Sequence, residues 1–266
     1  MPERPGGSQQ ARQVLVAVAH GSADPRASAT IAELAVVARE RSPGLDLRTA
    51  FLGHAPPSLP QVLSSVEADR EVTVLPLLLT AAYHSKTDIP RALARLSCEF
   101  PRLRVSYGAT LGPHPLLLSA LERRLAEADP LGHAGLADPA RRGRTGVVLA
   151  AAGSTDPEAN ATITHLAAHW QARAGWFAVH PASAAAASPG MPAPSEAVTG
   201  LLRGGARRVL VATYLLAPGW FADRIRASAL AAGAAAVAPA LGALPEVAEV
   251  FLDRYQEAGT LARRAA

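Results

Sequence analysis

Apolar residues run along this chain in short, unbroken stretches that alternate with longer segments of helical periodicity. Val14-Leu-Val-Ala-Val-Ala19 carries no charge and stops abruptly at His20-Gly21-Ser22. A run of this kind reads as a strand buried on both faces, as in the interior of a parallel sheet. Asp24-Pro25 then offers a helix start, with Asp as N-cap and Pro preset for the first helical position. The pattern predicts strands over 14–19, 45–52, 71–79 and 102–108, with helices over 27–40, 59–68, 88–98 and 115–128. A second series predicts strands over 145–151, 175–180, 206–216 and 234–238, with helices over 158–173, 194–203, 222–231 and 245–258. Strands alternating with helices imply parallel βαβ units with right-handed crossovers, hence an α/β fold. Residues 181–194, rich in Pro, Ala and Ser with Met191 as one apolar anchor, are expected to form a mobile loop.

The second series repeats the first. At an offset of 132, positions 18–35 and 150–167 are identical at 11 of 18 places, and Ala152 takes the slot of His20. Further on, Leu111-Gly112-Pro-His114-Pro115 pairs with Leu241-Gly242-Ala-Leu244-Pro245 at an offset of 130. That period is too long for a solenoid and indicates a domain duplicated and fused. Two tandem domains are expected, each a four-stranded parallel sheet flanked by helices: 1–128, a linker over 129–144, and 145–266. What both halves keep reads as scaffold; what one half keeps is a candidate for chemistry.

Functional groups in such sheets sit on the loops after the strands, here 20–26, 53–58, 80–88 and 109–114. The loop Thr80-Ala-Ala-Tyr83-His84-Ser85-Lys86-Thr87-Asp88 corresponds to a stretch containing Gly219-Trp220-Phe221, so an aromatic residue meets His84 with or without a one-residue gap. The loops after the first and third strands, which carry His20 and His84 in the first half, have lost that histidine in the second. His20 and His84 are therefore assigned to one site, present once. Ser22, Asp24 and Pro25 persist in both halves and read first as capping residues. Trp170, Trp176 and Trp220 read as core or interdomain contacts, and His133, His165, His169 and His180 as surface or packing residues.

Composition narrows the classes. The 266 residues are 49% apolar, enough for two proper cores, and the formal charge is only +4. Lys86 is the single lysine, and no basic run is interleaved with aromatics, so no nucleic-acid partner is expected. Cys98 is alone, which fits a reducing compartment. The first ten residues are polar without an apolar signal core, and the longest apolar stretches are short or broken by Gly and Pro. A cytoplasmic protein without a membrane partner is expected.

Two imidazoles at one crevice suit a divalent transition metal such as Fe, Co or Ni, and the neutral ring also accepts a proton near neutral pH. There is no HExxH, no paired Cys and no dense carboxylate cluster. Two ligands are too few for structural zinc, and open coordination positions are what metal delivery needs.

His-Gly-Ser-x-Asp-Pro-Arg at 20–26, Phe51-Leu52 with Pro57-Ser58-Leu59, and Pro76-Leu-Leu-Leu79 followed by His84-x-x-x-Asp88-Ile89-Pro90 resemble the sirohydrochlorin chelatases. These are the small class II tetrapyrrole chelatases of sirohaem and cobalamin synthesis. The resemblance covers nearly the whole chain, its second half matching the degenerate half of fused two-domain members. It implies a lyase that inserts Co²⁺ or Fe²⁺, with Ni²⁺ also accommodated, the metal being a substrate and no organic cofactor being used. His20 and His84 would bind the metal and help remove the pyrrole protons. Ser22, Arg26, Tyr83, Ser85, Lys86 and His114 are the implied substrate contacts, Arg26 and Lys86 facing the macrocycle's carboxylates. Where the family often has an acidic residue after Phe-Leu, this chain has Gly53-His54, and His54 is the candidate replacement in a proton relay. Fusion of two halves supplies internally what a single-domain version would gain by dimerising, so a monomer is expected. Two other readings use the same loops: a carrier that binds tetrapyrrole or metal without inserting, and a phosphoryl-transfer enzyme with a histidine nucleophile. The second is weakened by Ala19, which stands where histidine phosphatases have arginine.

Overall fold

The computed structural model describes residues 13–67, 70–81, 89, 91, 93, 94, 99, 100 and 102–265. The first sheet is built from β1 (Gln13–Ala19), β2 (Asp46–Phe51), β3 (Glu71–Pro76) and β4 (Arg104–Tyr107), all parallel, in the order β2-β1-β3-β4. α1 (Pro25–Arg41) and α2 (Leu59–Ser64) connect the first three strands. β1 is flanked on both sides, pairing Val14 with Asp46 and with Val72. Val14, Val16 and Val18 point to one face and are fully buried with Leu63, Val72, Val74 and Ile89. Leu15, equally buried, alternates to the other face. Double burial is why the run is uniformly apolar. The helix expected over 88–98 falls mostly outside the described residues.

The second sheet repeats this plan with β5 (Thr145–Ala151), β6 (Ala178–Ser183), β7 (Arg208–Tyr214) and β8 (Ala236–Val237) in the order β6-β5-β7-β8. α3 (Pro115–Ala128), α4 (Gly132–Ala137), α5 (Pro139–Arg142), α6 (Pro157–Ala174), α7 (Pro194–Arg203), α8 (Trp220–Ala231) and α9 (Pro245–Ala265) complete the elements. Both predicted sheets are present. Strand ends shift by a few residues, most at β6, expected over 175–180 and found at 178–183.

The compact units do not follow the sequential halves. One comprises 1–112 with 243–266, the other 113–242. In the first, α9 packs on α1, β3 and β4; in the second, α3 packs on β7, β8 and α4. Reciprocal hydrogen bonds fasten these helices. The Arg254 guanidinium donates to the carbonyls of Thr110 (2.9 Å) and Leu111 (3.3 Å), and that of Arg124 donates to the Leu241 carbonyl (3.1 and 2.9 Å). Arg124 and Arg254 are separated by the same 130 residues as Leu111 and Leu241, so one repeat unit writes one clamp twice. Residues 129–144, expected as a linker, carry α4 and α5 within the second unit, and the buried Asp129 carboxylate pairs with Arg208 there.

The loop after β6 is tied down, contrary to the expectation of mobility. Ser183 N–H donates to the Pro192 carbonyl (2.9 Å), Asn160 Nδ2 reaches the Pro189 carbonyl (3.3 Å), and the buried hydroxyls of Ser183 and Ser188 bond at 2.7 Å. Composition underestimated it because its anchors are hydrogen bonds from neighbouring elements rather than apolar side chains. Trp170 and Trp176 are buried, as expected, but Trp220 is 63% exposed and lies edge-on to Phe221, so it is not a core residue. His133, His165, His169 and His180 are exposed.

Candidate active site

The order β2-β1-β3-β4 makes the chain turn in opposite directions after β1 and β3, and ligands bind at the carboxyl ends of strands where this happens. His20 stands there, immediately after β1, and is exposed. Residues 77–81 leave β3 beside it, with Leu77 N–H donating to the Val18 carbonyl (2.8 Å). His20 Nδ1 lies 3.3 Å from the Gly21 carbonyl. In the tautomer that carries its proton on Nδ1, the ring donates to that carbonyl.

The turn that carries His20 is locked from below. Ser22 Oγ accepts from Asp24 N–H (3.1 Å), and Asp24 caps α1 by accepting from Arg26 N–H (2.9 Å). The Arg26 side chain folds back on the same carboxylate at 2.6 Å. Hydrogen bonds from the Arg26 side chain and backbone hold the Asp24 carboxyl below the ordinary carboxylate range. The second half builds the same turn: Asp156 N–H donates to Ser154 Oγ (3.0 Å) and Glu158 N–H to Asp156 (2.9 Å). Ser22 and Asp24 thus perform a structural task that both halves need.

The loop after β2 is pressed against this turn. Gly53 N–H donates to the His20 carbonyl (3.2 Å), extending the β1–β2 ladder past the strands. Gly21 has φ +87°, and a Cβ there would overlap the Gly53 carbonyl oxygen. The sequence can place His20 against this loop only because the next residue has no side chain. Gly21→Ala therefore forces the two loops apart. We expect it to lower stability by about 2 kcal/mol or more and to abolish activity, read by thermal melting and turnover; an unchanged variant would refute this packing.

Residue 54 joins the site in a conformation that the sequence did not foresee. His54 has φ +62°, and the Ala55 N–H bonds back across it to the Gly53 carbonyl at 2.8 Å, a three-residue turn that non-glycine residues rarely adopt. Its exposed ring lies 6.3 Å from that of His20 between centroids, with the planes 18° apart. The pattern of the sequence flagged His54 only as a replacement for an acid; a positive φ and a neighbouring imidazole leave no periodic trace.

The other predicted residues are distributed unequally. Tyr83, His84, Ser85 and Lys86 lie outside the described residues. His114 belongs to the second compact unit, where it caps α3, its Nδ1 accepting from Leu116 N–H at 3.3 Å. Among the described residues no group of three or more His, Cys, Asp or Glu side chains is arranged to hold a metal ion. The corresponding place in the second half has Ala152, with the equivalent backbone bond from Ala185 N–H at 2.9 Å. The ladder is kept and the imidazole is gone.

The CbiX family pattern matches residues 14–128 and 146–258, most of both halves. The chain is 27% identical over 223 residues to a sirohydrochlorin cobaltochelatase of Priestia megaterium, covering 82% of this chain and 69% of that protein. It is 32% identical over 96 residues to a sirohydrochlorin ferrochelatase of Bacillus subtilis (strain 168), covering 36% and 33% of the two chains. Among solved structures, SirB from Bacillus subtilis with Fe³⁺ superposes with a TM-score of 0.75 at 25% identity, covering 93% of this chain and 95% of that one. The cobalt complex of SirB from Bacillus subtilis subspecies spizizenii, at 22% identity and a TM-score of 0.71, shares the fold over similar coverage.

Proposed function

The chain belongs to the CbiX family, and from that premise we infer that it is a sirohydrochlorin chelatase, a lyase inserting Co²⁺ or Fe²⁺ into sirohydrochlorin in the synthesis of sirohaem or cobalamin. The observation that carries the reading is an exposed imidazole at the carboxyl end of β1, present in the first half and replaced by Ala152 in the second. Relatives named for cobalt and for iron chemistry support both metals as substrates.

Insertion exchanges two pyrrole N–H protons for a divalent ion. A group fixed on one side of the ring lowers the barrier by positioning the ion and receiving a proton. His20 is suited to this, being an exposed imidazole on a loop pinned by Gly53 and the Ser22-Asp24 turn. We assign His84 as its partner; the basis is that Phe221 or Trp220 replaces it in the repeat. Arg26 and Lys86 are assigned to the substrate's carboxylates, with Tyr83 and Ser85 beside them. Arg26 presents a guanidinium already oriented by Asp24. No helix among the described residues is long and apolar enough to cross a membrane, and we place the reaction in the cytoplasm, performed by a monomer.

The test is direct. The purified chain mixed with sirohydrochlorin and Co²⁺ or Fe²⁺ shifts the visible spectrum from that of the free macrocycle to that of the metal complex, faster than the mixture without protein. Stoichiometric binding of sirohydrochlorin with no gain in rate would instead establish a carrier.

A further inference from the structure

We propose that His165 and His169 form a divalent-metal site on the outer face of α6, within the second compact unit. Its ligand is a late first-row cation such as Ni²⁺ or Cu²⁺, held by two imidazoles and completed by water. The site goes beyond the chelatase reading and does not depend on it. α6 packs on β5 and β6 through one side, where Ile163, Leu166, Ala167 and Trp170 are buried. The opposite side exposes both histidines together with Thr164, Ala168 and Ala172. Residues four apart on a helix stand one above the other, with Cβ atoms about 5–6 Å apart. Imidazoles at that spacing reach one ion through bonds of about 2.0–2.1 Å, as the two histidines of a helical HExxH motif take zinc. The neighbours on this face are small, so an ion reaches both rings from solvent.

The pair belongs to one copy of the repeat. By the 132-residue offset, α1 carries Glu33 and Val37 at the places of His165 and His169. The same helix on the same kind of sheet is therefore built without either imidazole, and packing does not ask for them. Propensity does not ask for them either, since histidine is among the weaker helix formers and the rest of this face is mostly alanine. Two histidines kept one turn apart on an exposed face are explained if they act together. Arg173 follows one turn beyond His169, so the ion is held by the two nitrogen bonds and not by a negative field. Such a site selects ions that bond strongly to imidazole, with affinity rising from Co²⁺ through Ni²⁺ to Cu²⁺, and refuses Mg²⁺, which takes oxygen ligands.

The full-length chain is titrated with Ni²⁺ by calorimetry, in a His20→Ala background so that the first-half imidazole adds nothing to the signal. His165→Ala and His169→Ala are each expected to weaken binding at least about tenfold. The double variant is expected to lose no more than either single one, because one imidazole alone does not chelate. Spacing is then tested with the number of histidines unchanged. His169→Ala with Ala168→His moves the second ring to three residues from the first, still on the same face, and recovers most of the affinity. His169→Ala with Ala172→His moves it seven residues away, about 10.5 Å along the axis, and binds no better than His169→Ala. Both replaced alanines are exposed, so the helix is kept. Unchanged Ni²⁺ affinity in the two single variants overturns the proposal. So does a partial loss in each that adds up in the double variant, or recovery at the seven-residue spacing, since either result means imidazoles acting independently. A chain that holds Ni²⁺ through this pair yet, with His20 in place, never inserts metal into sirohydrochlorin upholds the site and removes the chelatase reading.

Discussion

His20→Ala abolishes metal insertion, by at least about 100-fold in kcat/KM, and leaves the melting temperature where it was. The size follows from what the ring is asked to do. A positioned proton acceptor contributes 10²–10⁴-fold, and the same lone pair serves the metal. The absence of a folding cost follows from position. His20 is exposed, and exposed substitutions away from caps and buried networks stay within about 0.5 kcal/mol. The molecule contains its own control, because Ala152 occupies the equivalent place with the Ala185 N–H to Ala152 carbonyl bond intact at 2.9 Å. Alanine is compatible with this backbone. His84→Ala should match it in activity. The measurement is the rate of the spectral change on adding Co²⁺ to protein and sirohydrochlorin, with circular dichroism melting in parallel. Full turnover in both variants would remove the case for the imidazole pair.

Deleting 243–266 unfolds the first compact unit although the 130 residues of 113–242 separate that segment from the rest of the unit. Val247, Val250 and Phe251 on α9 are no more than 1% exposed. Burying a valine or phenylalanine side chain contributes about 1.5–3 kcal/mol, so three of them approach the ~5–15 kcal/mol by which a whole domain is stable. The deletion also strips Arg254 from the Thr110 and Leu111 carbonyls and Tyr255 from Gln13, to which its hydroxyl donates at 2.7 Å. Limited proteolysis and hydrogen exchange should show cleavage and rapid exchange across 13–107 and protection across 113–242. Protection of the first sheet at the level of the intact chain would show that α9 is dispensable to it.

Much of this was legible before any coordinates. The charge-free run at 14–19 meant a doubly buried strand because only apolar side chains fit between two helical layers. Asp24-Pro25 and Asp156-Pro157 announced helix starts, and both aspartates cap as predicted. The duplication was visible because equivalent residues do equivalent work, down to the Ser22 and Ser154 hydroxyls that hold matching turns. The loss of His20 in the second copy singled out the site. The expectation of a mobile loop at 181–194 and the core alternative for Trp220 failed for one reason. Composition reports how much apolar surface a segment owns, but not whether Asn160 and the Pro192 carbonyl are near enough to tie it, or whether a neighbour covers it.

What the sequence determined by itself is local and periodic: two βαβ sheets, their caps, their equivalence, and which copy kept its histidine. Those features follow from residue chemistry and from spacings of two and 3.6, which act over a few residues. Which sheet each terminal helix joins was decided only by the tertiary structure. Arg124 and Arg254 belong to one repeated motif and would clamp either loop equally well, so nothing local distinguishes packing on one's own half from packing on the other. The meeting of His20 with His54 was settled the same way. It depends on a carbonyl fitting where Gly21 has no side chain, a contact between residues 32 positions apart that no period in the chain encodes.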